Sequence, residues 1–276
     1  MTVTPASSIG AAVADGLVRE AAWRQRRIIK WVVITAICLF VLWLAAWRIG
    51  LNFVSMLRGL PHMADVFMRM VPPDFGYMER LIDPTIETIQ IAVWGTLLAV
   101  IASAPLCLLA AHNTTPHPVI YSITRVFLNL LRSINELIYA LILVSAVGLG
   151  PYPGVLAIAL HATGMLAKFV AEEIEHVNRG PIEALQAAGA GRMQIILMGI
   201  LPQVLPSLVG YILYRFDVSI RSATVLGLVG AGGLGFSLIT TMKMFRYHET
   251  AASIVMIILL IMLADWISGR LQKRIL

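Results

Sequence analysis

Long apolar segments separated by short polar ones constrain this chain of 276 residues more than any other feature of its sequence. A helix needs about 20 apolar residues to cross the hydrocarbon core of a bilayer. Segments of about that length occur near residues 31–47, 84–111, 119–147, 152–170, 202–227 and 250–267. The sequence therefore predicts an all-α, polytopic integral membrane protein with about six transmembrane helices.

The composition supports this class and argues against others. Hydrophobic residues make up 59% of the chain and charged residues 13%, whereas a soluble domain has about 25% charged residues. The formal net charge of +6 does not point to nucleic acid, because the basic residues cluster beside apolar segments, where they set membrane orientation. Both cysteines, Cys38 and Cys107, lie inside apolar segments, so we expect neither a disulfide framework nor a thiol metal site.

The two ends of the chain are basic. Residues 1–30 form a basic N-terminal segment and residues 271–276 a basic C-terminal tail. Because basic residues concentrate on the cytoplasmic side of membranes, both termini are predicted to be cytoplasmic, although arginines also occur in the first outer loop. A cleaved signal peptide is the alternative interpretation of the first apolar segment, but that segment exceeds the roughly 7–15 residues of a typical signal core.

Residues 31–84 are predicted to hold the first transmembrane helix and an extracytoplasmic loop. Within the loop, Met63, Val66, Phe67 and Met70 recur at the spacing of one helical face, and polar residues occupy the opposite face. This pattern predicts a short amphipathic helix at the outer membrane surface. Residues 85–270 then form a single transmembrane domain.

A short segment rich in small residues lies between the fourth and fifth apolar segments, in the loop of residues 180–202. Pro181 suits the first position of a helix, Glu183 complements the positive end of its dipole, and Gly189 is suited to stop it. Alanines give this helix a smooth face that another protein can approach closely, so we interpret it as a docking element; the alternative is an ordinary Ala/Gly-rich turn. The predicted docking residues are Gly180, Pro181, Glu183, Ala184, Ala187 and Gly189.

Two other patterns in the sequence imitate known sites. Residues 230–235 match the dinucleotide fingerprint GxGxxG, but no βαβ unit surrounds them, and we interpret them as a glycine-rich gate or hinge. No Walker A sequence occurs in the chain, and His112 and His117 lack the spacing that would place both on one helical face for zinc. The candidate gate residues are Gly230, Gly232, Gly233 and Gly235.

The docking segment resembles the EAA loop of ABC-importer permeases, in which a coupling helix inserts into a cytoplasmic ATPase. The resemblance rests on Glu183-Ala184, on Gly189 and on Leu201-Pro202, with Leu185 and Gly199 standing where the family commonly has Ala and Ile. Further motifs, from about residue 85 to the C-terminus, are similar to the phosphonate-transporter permeases of the PhnE type. They include His161 with Gly164 and Lys168, residues 201–206, residues 221–233 and Asp265.

This resemblance implies a type I ABC-importer core of the MetI-like kind in the bacterial inner membrane. It implies a homodimer, two cytoplasmic subunits that bind ATP and Mg, and an extracytoplasmic binding protein that delivers phosphonate or phosphite. The chain itself would be no enzyme, would bind no cofactor and would use alternating access driven by its ATPase partners. Its longest polar segment, of roughly 35 residues, is too short to form an ATPase or a receptor.

Ionisable residues inside apolar segments are the candidates for the substrate pathway, because such residues are costly in a membrane and either line a pathway or pair with one another. Asp217 and Arg221 are four residues apart and can form a structural ion pair, as can Arg132 and Glu136. Arginines that face the pathway instead would donate forked hydrogen bonds to a phosphorus oxyanion. The candidates are Arg215, Asp217, Arg221, Arg132, Glu136 and His161.

Three other functions are weighed against this one. A proton-coupled secondary transporter of a small anion would use the intramembrane Asp and Glu residues as a relay, but no internal repeat is visible and the coupling loop argues against it. An intramembrane hydrolase would need motifs such as GxSxG or HExxH, which are absent from the sequence. A purely structural subunit would tolerate changes at Arg215 and Arg221.

Overall fold

The computed structural model describes residues 6–50 and 52–275, and every regular element within them is helical. Two of these elements are not α-helices: a 3-10 helix over Phe75–Leu81 and a π-helical segment over Ile195–Ile200. The α-helices are α1 Ala6–Ile49, α2 Phe53–Met70, α3 Ile82–Ala110, α4 Pro118–Ser133, α5 Glu136–Val147, α6 Pro151–Glu175, α7 Arg179–Ala187, α8 Arg192–Gln194, α9 Leu201–Gly227, α10 Gly233–Lys243 and α11 Tyr247–Ile275.

Five described helices are long and apolar enough to cross a membrane, and a sixth span results if α4 and α5 are counted as one. This confirms the predicted all-α class with about six spans. The third predicted span is not a continuous helix, however, because α4 and α5 meet at an angle of 83°. Asn135 causes the break locally: its side-chain oxygen accepts a hydrogen bond from the backbone N–H of Leu137 at 2.9 Å and so begins a new helix.

The chain forms two compact units, one ending at Ala64 and the other beginning at Asp65. In the first unit, α1 continues without a break from the basic segment into the apolar stretch Ile29–Ile49. The amphipathic helix predicted around Met63 to Met70 is confirmed as α2, which begins earlier, at Phe53. Its position at the outer membrane surface stays a prediction.

Small residues hold the main helices of the second unit together. Ala92 and Ala99 of α3 and Ala157 and Ala162 of α6 are fully buried. A Cβ at Gly95 would lie 2.7 Å from the side chain of Ile158, so only glycine permits this approach of α3 and α6. Close packing of this kind is typical of membrane proteins, since lipid removes the hydrophobic force between helices.

The glycine-rich segment between α9 and α10 is fastened to its surroundings. The Gly230 carbonyl accepts a hydrogen bond from the Gly150 N–H at 3.0 Å, and the Gly233 N–H donates to Glu87 at 3.0 Å. Gly230, Gly232 and Gly233 all have positive φ angles, which favour glycine. The segment is therefore a tightly packed turn, and its role as a gate or hinge stays a prediction.

The start of α9 is continuous with the helical segment that precedes it. Helical structure runs without a break from α8 through the π-helical segment into α9. Pro202 lacks the N–H that a regular helix would use at this point. The side chain of Gln203 donates from its Nε2 to the carbonyl of Gly199 at 2.6 Å, close to this point.

Candidate functional site

The predicted docking element is helix α7, and side chains define both of its ends. Asn178 begins the helix by accepting a hydrogen bond from the Gly180 N–H at 3.0 Å. The first helical residue is thus Arg179, two residues before the predicted Pro181, which still fits because N–H groups of the first turn have no partner within the helix. Gly189, at φ +77°, ends the helix as predicted, and the following Ala190 N–H donates to the carbonyl of Leu185.

Helix α7 presents one smooth face to its surroundings. All six predicted docking residues are exposed, whereas Ile182 and Leu185 are half-buried against the protein. The exposed face combines the small side chains of Ala184 and Ala187 with one carboxylate, Glu183. Its shape and exposure suit contact with another protein, and that contact stays a prediction.

The two departures from the family pattern in this loop compensate each other. A Cβ added at Gly199 would lie 3.0 Å from Cδ1 of Leu185 and 3.6 Å from the side chain of Ile182. The larger residue at position 185 therefore fills the space that a side chain at position 199 would occupy. The pair keeps α7 seated on the π-helical segment.

We expect Gly199→Ile to unseat α7, because its branched side chain would overlap Leu185, and overpacking of this kind costs about 1–3 kcal/mol. Trypsin cleavage at the exposed Arg179 and Arg192 of the protein in detergent would measure this as faster proteolysis. The double variant Leu185→Ala with Gly199→Ile should return cleavage to the wild-type rate. If the double variant is cut as fast as the single one, the two residues do not compensate each other.

Helix α7 is linked to helix α9 by the side chain of Gln203. Its Oε1 accepts a hydrogen bond from the Asn178 N–H at 2.9 Å, and its Nε2 binds the Gly199 carbonyl. The residue that begins α7 is therefore fixed to the first turn of α9. A force applied to α7 acts directly on α9.

A cleft of about 440 Å³ lies beside α7, against the turn that follows α3. Glu175 lies on its wall, where it accepts hydrogen bonds from Arg125 and from the His112 N–H, each at 2.9 Å. His112 and His117 lie in the loop between α3 and α4. The cleft therefore forms a concave surface next to the exposed face of α7.

Among the pathway candidates, Glu136 pairs with Arg215 of α9. The Arg215 Nη2 lies 3.0 Å from one carboxylate oxygen of Glu136, and the Ser222 hydroxyl donates to the other. The Arg215 side chain is only 2% exposed. The predicted pairing of Arg132 with Glu136 is wrong, because the helix breaks between these residues, and the Arg132 guanidinium lies 5.9 Å from the ring centroid of Phe169 instead.

His161 supports the break between α4 and α5. Its Nδ1 lies 3.1 Å from the carbonyl of Ile134, and because a carbonyl only accepts, this nitrogen carries the proton. The Tyr139 hydroxyl donates to the carbonyl of Leu131 at 3.2 Å. Both side chains satisfy carbonyls at the end of α4 that have lost their helical partners.

Asp217 and Arg221 form the ion pair that their spacing predicts. The Arg221 Nη2 also lies 3.6 Å from Asp265 of α11, which the sequence analysis did not place among the pathway candidates. The side chains of Arg221 and Asp265 are 49% and 50% exposed. Charges this exposed on helices of membrane-spanning length are compatible with a water-filled cavity or a neighbouring subunit and not with lipid.

Comparison with known proteins identifies the family of this chain. The model for the binding-protein-dependent transport system inner membrane component matches residues 95–276. The phosphite transport system permease protein PtxC of Stutzerimonas stutzeri is 44% identical over 86% of this chain and 87% of its own length. The putative phosphite transport system permease protein HtxC of the same organism is 38% identical over 94% of this chain and 90% of its own length.

Solved structures share the fold. The MetNI methionine ABC transporter in an inward-facing conformation matches with a TM-score of 0.63 and 22% identity, covering 74% of this chain and 99% of that chain. An amino acid ABC transporter with histidines gives a TM-score of 0.58 at 16% identity, covering 81% of this chain and 98% of that chain. The predicted MetI-like core is thereby confirmed. Together with the matched family model, these findings show that the chain belongs to the family of binding-protein-dependent transport system inner membrane components.

Proposed function

We propose that this chain is the permease subunit of an ATP-driven importer and forms the translocation pathway for phosphite, phosphonate or a related phosphorus oxyanion. The observation that carries the proposal is the exposed helix α7, joined by Gln203 to a helix that bears buried charge. The relatives named as phosphite transport permeases support the substrate class. Membership of the family of binding-protein-dependent transport components supports transport into the cell.

The importer needs partners that this chain does not supply. We propose two cytoplasmic ATPase subunits, which bind ATP and Mg, at the exposed face of α7, and an extracytoplasmic binding protein that delivers the oxyanion. A second permease subunit completes the pathway, with a second copy of this chain as the expected arrangement. Both termini lie in the cytoplasm under this proposal, on the side of the ATPases.

The proposed mechanism is alternating access. Closure of the ATPases on ATP moves α7, the Gln203 link moves the first turn of α9, and α9 carries Arg215 with it. The charged residues of the pathway then meet different surroundings in the two states. Such differential contacts are what couples binding energy to a conformational change.

Uptake by sealed vesicles tests the proposal. The vesicles hold this chain with its ATPase and binding protein, and ATP-dependent entry of phosphite and of methylphosphonate is measured. We expect wild-type protein to carry one or both, and Glu183→Ala with Gly189→Leu to reduce uptake to background, because the change removes the carboxylate of the docking face and strains the stop of α7.

A matched control separates docking from damage. Gly148 follows the end of α5 at φ +100°, as Gly189 follows the end of α7 at φ +77°, and both have open space where a Cβ would lie. Glu79 is an exposed glutamate like Glu183. Glu79→Ala with Gly148→Leu should therefore keep uptake near the wild-type rate. Uptake that survives the change in α7, or that persists with an inactive ATPase, would contradict the importer and favour proton-coupled transport.

A further inference from the structure

Helix α9 directs two hydrogen-bond donors at a single carboxylate. Arg215 and Ser222 are seven residues apart, which places them on the same helical face, two turns from each other. Each binds a different oxygen of Glu136, through Nη2 of the arginine and Oγ of the serine. An arginine fork beside a hydroxyl is a donor set well suited to a phosphorus oxyanion.

Arg215 has hydrogen-bond donors that Glu136 does not use. Arg215 Nε is buried and has no hydrogen-bond partner among the described residues, and Nη1 has only the sulfur of Met165 at 3.9 Å. Buried polar groups are normally satisfied, so an unused donor here requires an explanation. A carboxylate offers two oxygens, whereas a phosphite or phosphonate offers three, so the oxyanion would satisfy more of this donor set.

We propose that the Glu136 carboxylate occupies, as a tethered substitute, the place on Arg215 and Ser222 that the substrate oxyanion takes during transport. This inference rests on the proposed function and names the anion contact within it. Glu136 covers the site when no substrate is present and competes with the substrate when it arrives. The competition keeps binding weak, and weak binding is needed for release from a pathway.

The position of Glu136 allows this exchange. It is the first residue of α5, directly after the 83° break, and its side chain is 19% exposed while that of Arg215 is 2% exposed. Movement of α5 at the break would withdraw the carboxylate from the α9 donors. The donors themselves are held by the helix that α7 moves.

A purely structural ion pair makes a different prediction from a substitute anion. A structural pair needs opposite charges, and exchanging them costs it little beyond the interaction of Glu136 with the positive end of α5. The proposal needs the cation on α9, because the substrate is the anion. Exchanging the two residues therefore separates the two interpretations, and it keeps the pair neutral so that the protein still folds.

The test measures binding of inorganic phosphite to the permease–ATPase complex in nanodiscs, without the binding protein, by phosphorus NMR titration. We expect Glu136→Gln to bind phosphite about tenfold more tightly than wild type, because the competing charge is gone while the hydrogen-bonding shape remains. Glu249→Gln, which removes a carboxylate that is 20% exposed from its ion pair with Arg246, is the matched control and should leave the affinity unchanged. The exchange variant, Glu136→Arg with Arg215→Glu, should fold and bind no phosphite.

The outcomes separate this inference from the proposed function. Wild-type uptake together with normal uptake by the exchange variant would overturn the inference alone, since the pair would then be structural. Unchanged phosphite affinity in a folded Glu136→Gln variant would overturn it as well. Wild-type vesicles that carry neither phosphite nor methylphosphonate would overturn the proposed function and the inference together.

Discussion

Arg215→Met will leave the protein unable to hold its native packing. The change removes the cation but keeps the Glu136 carboxylate among buried groups, where an unpaired charge costs about 3–5 kcal/mol. We expect a large loss of thermal stability in detergent and a low yield of monodisperse protein. The variant Arg221→Met should lose less, because Arg221 is half exposed and one of its two partners, Asp265, is half exposed as well.

A compensating change makes this prediction specific. Replacing both members of the pair, as Glu136→Met with Arg215→Met, removes the buried charges together and should recover most of the lost stability, since buried ion pairs are often replaceable by apolar residues. The double variant should remain unable to transport, because the donors for the oxyanion are gone. A single Arg215→Met variant as stable as wild type would show that the pair is not buried as the structure has it.

Gly235→Val will have an effect at least as large, because the obstacle is backbone. A Cβ at Gly235 would overlap the carbonyl oxygen of Thr224 and would lie 3.0 Å from the Cα of Gly227. Neither atom can turn aside as a flexible side chain can, so α9 and α10 would have to separate. We expect a cost beyond the usual 1–3 kcal/mol of overpacking, measured as loss of the folded peak in fluorescence-detected size exclusion.

Gly269→Val is the control for this glycine. It lies on α11 in a helix, and no atom lies within 4 Å of the position that its Cβ would take. The valine should leave the elution profile unchanged. A folded Gly235→Val protein would mean that α9 and α10 do not cross as closely as described.

The sequence predicted the helices well because lipid imposes a length on each apolar segment. The prediction was wrong at the third span, where the apolar sequence continues across the break between α4 and α5. The signal was present locally: Asn135 is a preferred residue for starting a helix, and Glu136 places an acidic group in its first turn. The mistaken pairing of Arg132 with Glu136 followed from missing that signal.

The contacts between distant residues had no comparable signal. Glu136 and Arg215 are 79 positions apart, and only the folding of α5 against α9 brings them together. The compensation between Leu185 and Gly199 likewise depends on how α7 sits on the π-helical segment. The helix α7 and the exposure of its six candidate docking residues could be predicted from sequence because the start and the stop of this helix are local properties, and their role in docking stays a prediction.

The packing of Gly227 has a consequence for how α9 can move. This end of the helix is clamped, since a Cβ at Gly227 would lie 2.5 Å from the Gly232 carbonyl, while the opposite end is joined to α7. At about 1.5 Å per residue, α9 is a rod of roughly 40 Å, and Arg215 lies close to its midpoint. A displacement imposed at Gln203 would therefore swing the rod about Gly227 and reach Arg215 at about half its original amplitude.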